Sequence, residues 1–133
     1  MSLLGYHGFN NWENHFMEDE NERDNILFGF ELEAREDDSN YVENQLSPEQ
    51  VACKLGEEFG NLFVYERDSS IGRGVEIISQ PMTMNYYMAH IDLFKKLLKM
   101  LDKMNYVSTK GNKCGLHIHF NRKALGYNSK EFE

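Results

Sequence analysis

The chain has 133 residues, 41% of them hydrophobic, and a formal net charge of −8. That length suits one domain of ordinary size, and that much apolar content builds a core without help from disulfides or a metal. Collagen-like, disulfide-scaffold and low-complexity classes are excluded by composition, and the acidic balance argues against direct binding to a nucleic-acid backbone.

The acid is unevenly placed. Residues 1–49 hold 13 Asp and Glu against 2 Lys and Arg, a net of −11, whereas residues 50–133 are net +3. Residues 1–25 mix Tyr6, Phe9, Trp12 and Phe16 with Asn, Gly and acids and show no period. They are expected to be a largely irregular acidic arm, with Trp12 and Phe16 tucked onto the body. Such an arm is solvated, meets a basic protein partner or supplies metal ligands. The remainder, 26–133, is expected to form a single domain.

Residues 26–35, ILFGFELEAR, alternate with period two. Ile26, Phe28, Phe30, Leu32 and Ala34 share one face and Glu31, Glu33 and Arg35 the other, the pattern of a half-buried strand. After the polar stretch 36–46, Ser47-Pro48-Glu49-Gln50 reads as a helix start. Ser47 caps, Pro48 suits the first helical position and Gln50 completes a capping box. This helix should end near Gly60 and bury Val51, Leu55 and Phe59. Residues 61–67 and 75–80 read as strands joined through a turn over 68–74, an antiparallel hairpin. From Thr83 to about Asn105 a longer helix carries Tyr87, Ile91, Phe94, Leu98 and Leu101 at steps of four and three. Its lysines lie off that stripe, and Asp92 is placed to pair with Lys96. A short strand at 106–109, a turn over 111–115, a strand at 116–121 and a first helical turn over 129–133 complete the chain. The expected class is α+β, an antiparallel sheet with two helices packed on one face.

Two cysteines, Cys53 and Cys114, lie far apart and form no CxxC, which fits a reducing cytosol. The N-terminus lacks a signal-peptide pattern, and no apolar run approaches the roughly 18 residues a membrane span needs. The expectation is a soluble cytoplasmic protein (in the host cytoplasm if phage-encoded) with no membrane partner.

The chemistry sits on the polar faces of three strands. Glu31 and Glu33 project side by side, and two like charges so close call for something positive between them. His117 and His119 repeat that geometry on another strand. Glu76 lies mid-strand in VEII, where a carboxylate is costly unless it is paired or solvated. One sheet that buries its apolar face would gather all five on the other. The result is an oxygen-rich site with imidazoles, suited to Mg²⁺ or Mn²⁺ with Zn²⁺ open. Asp68 begins the hairpin turn and Arg73 lies within it. Asp68 serves as a turn former or reaches toward a metal or an ammonium group, and Arg73 suits a phosphate or carboxylate. Cys114 near the His pair lacks an orienting third group, so a Cys/His nucleophile is disfavoured. A cupin site is disfavoured by the two helices.

The blocks Phe28-Gly29-Phe30-Glu31-Leu32-Glu33, Asp68-Ser69-Ser70, Gly74-Val75-Glu76-Ile77-Ile78-Ser79-Gln80-Pro81 and Cys114-Gly115-Leu116-His117-Ile118-His119-Phe120 occur in this order. The set resembles the amidoligase family, which is related to glutamine synthetase and glutamate–cysteine ligase, over roughly residues 26–122. The resemblance implies an ATP-dependent carboxylate–amine ligase. A carboxylate is phosphorylated and an amine displaces the phosphate, with divalent ions offsetting the charge. It assigns Glu31, Glu33 and Glu76 to metal, and His117 and His119 to metal and the phosphates. Asp68 falls to the amine or a metal, and Arg73 to the same catalytic turn. Its substrates would be small-molecule or peptide carboxylates and amines. Relatives of this type run further past the His block, so the chain is expected to be the front half of that domain, truncated or inactive. Two rivals stand beside it. One is a small acidic inhibitor from a phage or mobile element, of anti-CRISPR or DNA-mimic type, that occupies a nucleic-acid-handling enzyme. The other is a metal-dependent hydrolase or nuclease using the His/Glu cluster.

Overall fold

In a computed structural model of the protein, residues 16–19, 21, 26–68, 74–108 and 115–120 are described. The first strand, β1 (Leu27–Glu36), carries the alternating segment, and its apolar members Phe28, Leu32 and Ala34 are buried. Then come α1 (Pro48–Phe59), β2 (Phe63–Asp68), β3 (Gly74–Ser79) and β4 (Met82–Thr83). The chain continues through α2 (Met84–Ala89), α3 (Ile91–Lys103), β5 (Tyr106–Val107) and β6 (Leu116–Phe120).

All strand pairs of the sheet are antiparallel, and β1 is its hub. Along one edge β1 meets β3, with Glu31 opposite Ile78 and Arg35 opposite Gly74, and then β4, with Phe28 opposite Met82. The register slips by one residue between these two pairings. There the Ser79 hydroxyl accepts from the Phe30 N–H at 2.9 Å, just before Pro81, which has no N–H to donate. Gly29 sits at the slip, where an added Cβ would come within 3.4 Å of the Ser79 hydroxyl. Along its other edge β1 meets β6 over Phe28–Leu32 and β5 at Arg35 and Glu36. These last strands are two pieces of one edge line, interrupted by residues 108–115. Strand β2 closes the opposite edge against β3.

Because β1 and β2 are both antiparallel to β3, α1 joins two parallel strands across an intervening one. The α2–α3 segment does the same from β3–β4 to β5 across β1. Two interleaved split β-α-β units result, a βαββαβ chain order with α1 and α3 covering one face. The α+β class, the antiparallel sheet and the one-sided helical layer agree with expectation.

The helices form for readable reasons. The Ser47 hydroxyl accepts from the Gln50 N–H, the Gln50 side chain accepts from the Ser47 N–H, and Gly60 ends α1 at φ 60°. Val51, Ala52, Leu55 and Phe59 face the sheet. Phe63 of β2 lies at the centre of an aromatic cluster with Phe30, Phe59 and Phe94, ring centroids 5.4 to 6.0 Å apart.

Several expectations need correction. The long helix breaks at His90 (φ −117°, ψ 26°) into α2 and α3, so one continuous stripe does not hold. In α3 Leu97, not Leu98, joins Phe94 and Leu101 in the core, and Leu98 is 54% exposed. Lys96 pairs with Glu58 of α1, tying helix to helix in place of the expected pair with Asp92. Residues 60–62 form a 3₁₀ turn before β2. Phe16 lies against the body as expected: its backbone bridges Met82 and its ring centroid is 5.4 Å from that of Tyr86. Trp12, the hairpin turn at 69–73 and the final helical turn lie outside the described residues.

Candidate metal and phosphate face

Strand register determines which polar side chains meet. On the sheet face away from α1 and α3, Glu31 of β1 lies opposite His117 of β6, and Gly29 lies opposite His119. With no side chain at Gly29, the His119 imidazole reaches diagonally to Glu31. Its Nε2 is 3.3 Å from Glu31 Oε2, and His117 Nδ1 is 3.8 Å from the same oxygen. One carboxylate oxygen is thus shared by two imidazoles. The Glu31 side chain is 22% exposed and the histidines 60% and 55%, so the cluster opens to solvent on the β6 side.

Two residues further along β1, Glu33 lies opposite Glu76 of β3, and Glu76 lies opposite Glu66 of β2. Three carboxylates therefore form a row across three strands. Glu66 and Glu76 are buried, at 1% and 3% exposure. Like charges directly opposite on neighbouring strands repel, and burial raises the cost. None of the three is without an interaction partner. The next row brings Asp68, Gly74 and Arg35 into backbone register. The Arg35 side chain is 12% exposed; its Nη1 donates to the Glu36 carbonyl at 3.3 Å and lies 3.5 Å from Asp38. Its Nε is buried without a hydrogen-bond partner among the described residues.

The expected residues Glu31, Glu33, Glu76, His117 and His119 are therefore brought to one face. Asp68 is the last residue of β2 rather than part of the turn. Arg73 and Cys114 lie outside the described residues. Arg67, one of two arginines near Glu76 in sequence, pairs with Glu49 of α1 instead. Glu66 was missed, although its signal was present: in VYER it shares the alternation of Val64, away from the buried Phe63 and Tyr65. Arg35 was placed on the correct face but given no role.

The donor chemistry, carboxylates with two imidazoles, fits a divalent cation. The placement is not a finished cage: among the described residues no group of three or more His, Cys, Asp or Glu converges as a metal site. Among the same residues no helix is long and apolar enough to cross a membrane. No family model, curated protein or solved structure matches the chain.

Proposed function

We propose that this face is the divalent-cation and phosphate site of an amidoligase-like domain, whose reaction is ATP-dependent carboxylate–amine ligation. One observation supports it most: the register sets Glu31 against His117 and Glu33 against Glu76 on a single sheet face. Glu31, Glu33 and Glu76 would hold the cation, with His117 and His119 at the phosphate side. A bound Mg²⁺ or Mn²⁺ supplies charge neutralisation for the nucleotide phosphates and the acyl phosphate. The protein's own part is to set the carboxylates at fixed spacing on rigid strands, so that little reorganisation is needed when charge develops. Glu66 lies directly across from Glu76 and adds a third carboxylate to that row. On the resemblance alone, Asp68, the last residue of β2, would receive the amine, and Arg73 belongs to the turn that follows.

Calorimetric titration of Mg²⁺, Mn²⁺ and Zn²⁺, each with and without ATP, tests this reading. Mn²⁺ should bind and ATP should bind more tightly in its presence. Glu31→Gln should weaken Mn²⁺ by at least about tenfold, and His117→Ala should weaken the metal-dependent nucleotide step by a similar factor. If neither metal nor nucleotide binds and both substitutions are silent, the ligase reading fails for this chain. If Zn²⁺ binds and ATP is ignored, the hydrolytic reading of the His/Glu cluster replaces it. The inhibitor reading rests on the acidic arm, of which only residues 16–19 and 21 are described, and a basic nucleic-acid enzyme as partner would be its signature.

A further inference from the structure

On the other face of the sheet, α3 and β6 leave an open apolar groove of about 330 Å³ between them. Phe30 lies in it, with Met84 of α2, Leu98 of α3 and Leu116, Ile118 and Phe120 of β6. All but Phe30 of these six are more than half exposed. Scattered exposed apolar residues need no explanation, but a contiguous set along an outer strand does. Among the described residues β6 pairs with β1 alone, and none of them pairs along its outer edge.

Two features of this groove are self-complementary. The first is the strand Leu116-His117-Ile118-His119-Phe120, which reads alike in both directions as apolar, His, Ile, His, apolar. Antiparallel pairing with an identical strand, centred on Ile118, sets Leu116 against Phe120 of the other copy on the groove side. The second is the stripe Lys95, Leu98 and Asp102 on α3, at steps of three and four and exposed throughout. Antiparallel packing of two such stripes centred on Leu98 sets Lys95 of each copy against Asp102 of the other. Both centres, Ile118 and Leu98, lie in the same groove, as a single two-fold axis requires.

We propose that a second copy of this chain occupies the groove. The two sheets would join edge to edge through β6, with the α3 helices packing over the seam. Five apolar side chains, each more than half exposed, offer on the order of 500 Å² per copy and about 1,000 Å² for the pair. That is the lower bound of a specific interface. A weak, reversible dimer follows, with a Kd of roughly 1–100 µM. The net charge of −8 on each copy opposes association, so the dimer should be sought at about 0.15 M salt, where long-range repulsion is screened. The apolar and helical contacts lie on the sheet face opposite the carboxylates, while the same β6 register sets His117 against His119 of the other copy at the margin of the candidate site. Sedimentation reads the dimer without metal or nucleotide, so its failure is distinct from failure of the ligase reading.

Sedimentation velocity over a concentration series tests it on the full chain. The expected result is a concentration-dependent shift from monomer to dimer. Ile118→Lys should abolish the shift while the far-UV circular dichroism is unchanged. A charge swap guards against a strand that simply fails to form. Lys95→Asp should weaken dimerisation by about tenfold, and Lys95→Asp combined with Asp102→Lys should restore it. A monomer at every concentration overturns the proposal, as would a monomer in which another segment of the chain covers the groove. A dimer indifferent to Ile118→Lys, or one that the double swap does not rescue, overturns it too.

Discussion

Tyr65 is fully buried in the helix-covered face, and its hydroxyl has no hydrogen-bond partner among the described residues. A buried polar atom left unsatisfied costs about 1–3 kcal/mol, so Tyr65→Phe should stabilise the protein by roughly 1 kcal/mol, measured as a raised urea midpoint. Burial also pushes the Tyr65 phenol above its ordinary value of 10.0. The folded chain thus keeps a proton that the unfolded chain gives up. This residue's contribution is full below pH 10 and is lost as the pH rises beyond it, at about 1.4 kcal/mol per pH unit. Comparing the alkaline limb of stability against pH in Tyr65→Phe and the parent should show the parent falling more steeply. An equal slope would mean that the hydroxyl is solvated or paired. Asn105 is the opposite case, a polar side chain fully used. It adopts φ 61°, and its Nδ2 donates to the Asp37 and Asn40 carbonyls and to Gln45 Oε1. Asn105→Ala places a Cβ-bearing residue without these bonds in the left-handed region. It should cost about 2 kcal/mol in chemical denaturation.

At the level of elements, α1 depends on a start signal that is local and separable from its packing. Ser47→Ala removes the hydroxyl acceptor of the Gln50 N–H and should lower stability by about 1 kcal/mol, with the fold retained by near-UV circular dichroism. Local signals of this kind were legible in the sequence: the capping box, the alternation in β1 and the apolar spacing in α1 each gave the right element. The break at His90 was not. Its cause is tertiary, since α2 must leave from β4 while α3 lies across the sheet, and helical periodicity does not encode that change of direction. The same limit applies to Leu97 and Leu98. A stripe read over 23 residues as one straight helix drifts once the helix is cut in two. At the site, period-two alternation correctly assigned Glu31, Glu33, Glu76, His117 and His119 to polar faces. Which carboxylate meets which histidine is a matter of register, and register is set by pairings far apart in the chain. Glu66 shows the same division: alternation puts it on the polar face, and register alone puts it across from Glu76.

Across the whole molecule, one strand is the common partner of nearly all others. β1 pairs with β3, β4, β5 and β6, and among the described strands only β2 reaches the sheet without it. Truncating its core should therefore damage more than one neighbour. Leu32→Ala, at a residue 7% exposed and within the apolar cluster, should cost about 2–5 kcal/mol. For a domain of this size that approaches the entire margin of stability. The loss should appear as one cooperative transition at lower temperature, and a transition in two steps would show that the β2–β3 hairpin and α1 hold together alone.

The position of β1 also dictates an order of events during synthesis. Phe28 leaves the ribosome early, yet its partner on one side, Phe120, is made 92 residues later, and Leu27 waits for Thr83 on the other. Until then β1 presents two unsatisfied edges and an apolar face, so the nascent chain is most prone to aggregate before β6 emerges. The helices and the β2–β3 hairpin can form from near neighbours. The sheet must close through distant contacts, which places refolding on the slow side for a domain of this length, in milliseconds to seconds.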